Sequence, residues 1–281
     1  MEKKGYWDAH CHLHLFDCTA GDLNELGAHD ETGFFLGGYA PDDFLHQEEL
    51  KKNWPSFTWL TSVGLHPWWL QDLWDQQGQV NFEANLQQAM ILLETYLPQA
   101  NALGECGVDR ARQSGLPLDL QLDLLRRQID LAAEMKKPLV LHVVRAHSQV
   151  LKCLSGQKLP DPRGLVHAFN GSYEIGKAYI DKGFFLSIGP SVLKPGYQKL
   201  KQALSRLPWD RLLLETDSQL KGDAVSQGWG NHRPKYDAST RVRLRAVADV
   251  VGQLCDVEPA RLLASSQQHL QDLLQAQDCD A

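Results

Sequence analysis

Apolar residues in this chain gather in short runs, and between the runs they recur at helical spacing. The runs around Tyr6–His12, Gly33–Tyr39, Phe57–Val63, Ala102–Asp109, Leu139–Val144, Leu165–Phe169, Gly183–Ile188 and Arg211–Asp217 read as strands, being brief, mostly rich in β-branched or aromatic residues, and set off by Gly, Pro and polar residues. Leu139–Val144 is the clearest, continuous and apolar as buried parallel strands are. Helices are predicted over Asp42–Trp54, closed by Pro55, and over Asn81–Tyr96, where Phe82, Leu86, Ala89, Leu92 and Leu93 keep helical spacing. Leu116-Pro117 opens another, with Leu120, Leu124, Ile129 and Leu131 on it and Pro138 after it. Further helices are expected over His147–Leu154, Tyr173–Lys182, Gly196–Leu207, Ser239–Cys255 and Pro259–Gln275, and Ser218–Asp237 reads as the longest loop. Eight strands alternating with helices predict an α/β fold, a closed parallel (β/α)8 barrel of the TIM type. A chain of 281 residues suits one such barrel, and no repeat or linker divides it, so a single domain over 1–281 is expected.

The polar exceptions to this pattern are informative. His10 and His12 are two residues apart, so on a strand both rings face one side and can reach one cation. Such a pair also occurs as two polar residues at a strand end. His66, Glu105, His142, His167 and Asp217 each fall where a predicted strand ends, and the C-terminal strand ends are the face on which such barrels carry chemistry. Alternation turns Cys11 away from His10 and His12, so a structural role is expected for it, and a structural role is expected for Glu215 as well. His14 shares the parity of His10 but falls beyond the strand, a loop residue rather than a ligand, while His29, His46, His147 and His269 read as surface or helix residues. The segment Trp68–Trp74, dense in tryptophan, reads either as a loop cap over apolar surface or as a stacking platform for a base or sugar.

Composition narrows the setting. A 43% hydrophobic and 22% charged chain can bury a sizeable core. The six cysteines show no Cys-x-x-Cys spacing and read as free thiols. With neither a secretory h-region nor a membrane-length apolar run, a soluble cytoplasmic location is expected. A net charge of −7 argues against a broad basic grip on duplex DNA, but leaves room for a short strand end where bound cations supply positive charge locally.

The motifs Asp8-Ala-His-Cys-His12, Gly64-Leu-His-Pro67, Gly104-Glu-Cys-Gly-Val-Asp109, Pro138-Leu-Val-Leu-His142 with Arg145, His167-Ala-Phe-Asn-Gly171 and Leu214-Glu-Thr-Asp217 appear in that order on the predicted strands. Together they make the chain, from Trp7 to about Leu274, resemble the TatD family of metal-dependent hydrolases. The resemblance implies two divalent metal ions. His10 and His12 would bind one, His142 and His167 the other, with Glu105 bridging and Asp217 completing the first shell. Two cations about 3.5–4 Å apart need an anionic bridge, and the water they share becomes hydroxide near neutral pH. Related barrels use a carboxylated lysine there; Glu105 occupies the matching strand. Asp217 is then the general base, with Glu105 the other catalytic carboxylate, and His66 and Arg145 are candidates for contacting the substrate anion. His66 also reads as a polar strand-end cap, and Arg145 as a partner of Glu105 or Glu215. By ligand type Zn or Mn fits, whereas related nucleases are regarded as Mg-activated. The chain departs from the family pattern at Gln219, at His232-Arg233-Pro234 and near Ser265-Ser266, which bears on substrate choice and on the last active-site loop, and His232 can approach the site.

The resemblance implies a deoxyribonuclease that cleaves phosphodiesters from nucleic acid strand ends. A second reading keeps the metals and cleaves a carbonyl, as an ester or amide hydrolase such as an aminoacyl-tRNA deacylase. A third is a metal-bound interaction protein without catalysis. The substrate is thus a strand end or a small phosphodiester, and neither a membrane nor a protein partner is evident.

Overall fold

A computed structural model describes residues 5–16, 18, 21–22, 24–25, 30–112, 115–218 and 243–275. Eight parallel strands follow one another around a single sheet in sequence order: β1 (Tyr6–Cys11), β2 (Glu31–Leu36), β3 (Thr58–Val63), β4 (Ala102–Asp109), β5 (Leu139–Val144), β6 (Gly164–Val166), β7 (Phe185–Ile188) and β8 (Leu212–Leu214). The helices are α1 (Asp43–Asn53), α2 (Pro67–Tyr96), α3 (Leu118–Glu134), α4 (His147–Ser155), α5 (Tyr173–Asp181), α6 (Gln198–Leu204), α7 (Leu244–Cys255) and α8 (Pro259–Gln275). The architecture is the expected (β/α)8 barrel. Among the described residues no helix is long and apolar enough to cross a membrane.

Burial explains the order of layers. Leu103, Leu141, Val143, Val166, Leu186 and Leu214 pack outward against Leu124 and Ile129 of α3, Val247 of α7 and Leu262 of α8. Phe35, Leu60, Val140, Leu165 and Leu213 form a second buried group with Leu270, Leu273 and Leu274 of α8. Val140 and Leu165 precede His142 and His167 by two residues, so strand alternation puts this apolar floor directly beneath the histidines.

Asp8, which is fully buried, ties β1 to the segment after β8 across the barrel seam. Its Oδ1 accepts from Thr216 N at 2.9 Å and from His10 N at 3.2 Å, and its Oδ2 accepts from the Thr216 hydroxyl at 2.5 Å. Asp217 N adds a bond to His10 O at 3.0 Å.

Several sequence expectations change, among them the second strand, which runs over Glu31–Leu36 and not Gly33–Tyr39. The tryptophan segment is helical, not a loop: α2 starts at Pro67 and runs through it, bending at Gly78, whose φ of 63° lies in the left-handed region. Pro67 at the first helical position and the His66 side chain, which accepts from Trp68 N, supply the helix start. β6 and β8 end at Val166 and Leu214, short of the expected Phe169 and Asp217. There the chain leaves the ladder to present side chains to the barrel mouth, and Ala168 (φ 45°) and Asp217 (φ 46°) adopt left-handed backbone. The predicted loop 218–237, except Ser218, lies outside the described residues, as do Gln219, His232, His29 and Cys279. Among the described residues the other five cysteines form no disulfide with one another. Cys11 is buried in apolar surroundings, as alternation predicted.

Candidate metal centre at the barrel mouth

His10, His12, His66, His142, His167 and Asp217 converge on Glu105, although their strands are dispersed along the chain. Glu105 lies on β4 with no exposed surface. Its oxygens divide the histidines between them. Oε1 stands 3.2 Å from His10 Nε2 and 3.1 Å from His12 Nε2. Oε2 stands 3.2 Å from His142 Nδ1, 2.7 Å from His167 Nε2 and 3.4 Å from His66 Nε2. Asp217 Oδ1 is 3.7 Å from His12 Nε2, and its side chain keeps 31% exposure.

Local chain features make this approach possible. A Cβ on Gly37, just after β2, would fall 2.2 Å from His10 Cε1 and 2.8 Å from His12 Cε1, so the bare backbone there admits both rings. Gly107 is similarly constrained: a Cβ would lie 1.9 Å from His142 O, and its φ is 152°. Around the centre, Glu215 shares strand parity with Asp217 and faces the same side; it accepts from Ala168 N at 2.7 Å and stands 3.8 Å from His167 Nδ1, holding the backbone after β6. Ser266, at one of the departures from the family pattern, accepts from Leu214 N at 2.9 Å and anchors β8 to α8.

Hydrogen bonds on the far side of two rings fix which nitrogen faces Glu105 with a lone pair. His12 Nδ1 lies 2.9 Å from Gly37 O, an acceptor, so Nδ1 carries the hydrogen and Nε2 the lone pair. His142 Nε2 lies 3.1 Å from Asp109 Oδ2, another acceptor, so its Nδ1 carries the lone pair. Each lone pair then faces a carboxylate oxygen at close range, an arrangement that is repulsive unless a cation lies between, and the donor set therefore fits divalent metal ions. Among the described residues, three overlapping groups can hold one: His10, His12 and Glu105; His10, His167 and Asp217; His66, Glu105 and His142.

The electrostatics follow from burial and from Glu105. Burial pushes its carboxyl up, but His167, His66 and His10 outweigh this and hold it well below the usual carboxylate range. Burial lowers His10 to about 4 and His66 to about 3, so both are neutral at ordinary pH. Burial also lowers His142 and His167, but hydrogen bonds and charge from neighbouring carboxylates raise both above the ordinary value.

Arg145 is exposed beyond β5 with φ 54°, and among the described residues it forms no ion pair with Glu105 or Glu215. His14 is buried 3.9 Å from Asp43 Oδ2, apart from the Glu105 cluster. Asp109 and Trp68 are additions to the predicted set. Asp109 Oδ2 accepts from Trp68 Nε1 at 2.7 Å as well as from His142, and its Oδ1 accepts from Ala111 N and Arg112 N. Burial would raise its carboxyl, but His142, Trp68 and Ala111 hold it far below the usual range. The motif position of Asp109 was the available signal; its partners are distant in sequence.

Comparison with known proteins identifies the family. Over 226 residues the chain is 26% identical to an uncharacterized metal-dependent hydrolase of Haemophilus influenzae, covering 76% of this chain and 80% of that protein. Over 189 residues it is 29% identical to the 3'-5' ssDNA/RNA exonuclease TatD of Rahnella, covering 66% and 67% of the two chains. The crystal structure of the TatD homologue YjjV of Escherichia coli superposes with a TM-score of 0.74 at 22% identity, covering 96% of this chain and 98% of that one, and so shares the fold. Residues 7–271 match the family described as TatD related DNase, and the chain belongs to that family of metal-dependent hydrolases.

Proposed function

We propose that this enzyme hydrolyses phosphodiester bonds at the ends of nucleic acid strands, DNA foremost, with two divalent metal ions held across Glu105. The observation that carries this reading is the division of the histidines: His10 and His12 address one oxygen of Glu105, His142 and His167 the other. Asp217, 3.7 Å from His12 and close enough to His10 and His167 to share a cation with them, completes the first set, and the chain acts as one barrel domain. Imidazole-rich sets favour Zn²⁺ or Mn²⁺, and Mg²⁺ is the further candidate implied by the nuclease relatives.

Cations at these positions supply Lewis acidity and a water acidic enough to attack at neutral pH. The protein does the rest. Asp217, part-exposed beside His12, accepts the proton of the attacking water. His66 directs Nε2 into the centre and binds a phosphate oxygen, while Arg145 stands exposed at the rim to take a neighbouring phosphate. The apolar floor of Val140 and Leu165 excludes water from below. A net charge of −7 suits a substrate gripped at its end rather than along its length.

The test is hydrolysis of an end-labelled single-stranded DNA oligonucleotide by metal-stripped protein resupplied with Mg²⁺, Mn²⁺ or Zn²⁺ separately. Stepwise shortening that disappears in Asp217→Ala is the expected result. Intact DNA under every metal, with hydrolysis of an aminoacyl ester instead, would replace this reading by the carbonyl one.

A further inference from the structure

We infer that Trp68 is a positioning residue that gives two adjacent histidines opposite chemistry, making His66 a hydrogen-bond donor at Nε2 and His142 a lone-pair donor at Nδ1. The inference rests on the metal-centre reading above and assigns a division of labour within it. The backbone N–H of Trp68 donates to His66 Nδ1 at 3.0 Å. A nitrogen that accepts from an N–H carries no hydrogen, so the hydrogen of the His66 ring sits on Nε2. That Nε2 is buried, points at Glu105 Oε2 from 3.4 Å and has no hydrogen-bond partner within normal range. His66 therefore stands among groups close enough to share a metal, yet presents N–H rather than a lone pair. It is built to donate to an anionic oxygen, and it is not a metal ligand.

The same residue acts on His142 through its side chain. The indole N–H holds Asp109 Oδ2 at 2.7 Å, and that oxygen takes the His142 Nε2 hydrogen at 3.1 Å. Partners of this kind orient a ligating imidazole and keep it in one tautomer. Trp68 is itself fixed from a third side, since its carbonyl accepts from Arg112 Nη1 at 3.0 Å. Arg112 in turn pairs with Asp72, whose Oδ2 also receives the Tyr39 hydroxyl at 3.2 Å. The Tyr39 ring lies against His66 with centroids 5.1 Å apart. The first turn of α2 thus reaches both histidines through one connected set of bonds.

The experiment uses the full chain with ¹⁵N-labelled histidine. Long-range ¹H–¹⁵N correlation on the metal-free protein identifies the hydrogen-bearing nitrogen of each ring, and calorimetric titration with Zn²⁺ measures affinity. In the wild type, both His66 and His142 are expected to carry hydrogen on Nε2. Trp68→Phe keeps the backbone N–H and loses the indole donor, so His66 stays as it was while His142 becomes a mixture of tautomers and Zn²⁺ binding weakens about 10–100-fold. Asp109→Asn, which leaves the tryptophan packing alone, is expected to weaken binding at least as much, and Trp69→Phe to leave it at the wild-type value. A His66 hydrogen found on Nδ1 would overturn the inference. So would wild-type Zn²⁺ affinity together with an unchanged His142 in both Trp68→Phe and Asp109→Asn. Because neither readout requires turnover, a wild-type protein that leaves DNA intact yet shows these shifts refutes the nuclease reading alone.

Discussion

The carboxylate of Asp8 takes both hydrogens that Thr216 can donate, the backbone N–H at 2.9 Å and the hydroxyl at 2.5 Å, across 208 residues of sequence. The residue after this clasp is Asp217, and two residues after Asp8 stands His10. Thr216→Val keeps the shape and removes the hydroxyl donor to a buried charge, which is expected to cost about 2 kcal/mol of stability. Urea unfolding measures it, and a midpoint equal to wild type would show the clasp to be dispensable.

Asp217→Asn keeps the size of the side chain and removes its basicity. At saturating metal, kcat on a single-stranded oligonucleotide is expected to fall about 10²–10⁴-fold, the usual contribution of a positioned base. Undiminished kcat would assign the proton to another group.

Metal binding is expected to release protons and to tighten as pH rises. His142 and His167 have folded pKa values above the ordinary one, because the neighbouring carboxylates outweigh burial. Each therefore takes up a proton more readily than an ordinary histidine as pH falls, and a cation competes with that proton for the ring. Titrations in two buffers of different ionisation enthalpy count the protons, and heats that are the same in both would contradict the linkage.

His147 predicts an acid-labile contribution to stability. Burial lowers it to about 4, and its Nδ1 stands 3.3 Å from the Tyr179 hydroxyl. A histidine whose folded pKa lies below its unfolded value near 6.5 contributes fully above that value and loses the contribution as pH falls towards 4. Unfolding of wild type and His147→Gln at about pH 7 and about pH 4.5 separates this residue from the rest. An equal loss of stability in both proteins on acidification would rule it out as a source.

Much of the barrel was legible because proline and apolar runs mark its parts sharply. The predicted and observed limits agree for β4, β5 and α8, where Pro138 and Pro259 stand at the element starts and the apolar periodicity is strong. The centre was legible for a related reason: a charged or imidazole residue at the end of an apolar strand has few structural uses. The first turn of α2 was less visible, since Trp68, Trp69 and Trp74 fit a loop cap as well as a helix, and Gly78 interrupts the pattern. The part played by Asp109 was hidden altogether. Its carboxylate meets His142 from 33 residues away and Trp68 from 41, and no local spacing encodes either contact.

The dispersal of the centre along the chain has a consequence for its biogenesis. A ribosome makes β1 first and β8 much later, so His10 and His12 emerge long before Asp217 and the Asp8–Thr216 clasp can form. A nascent polypeptide holds neither the complete set of donors nor the closed wall behind them. A centre that needs all of these donors accordingly stays incomplete until the eighth strand has been translated.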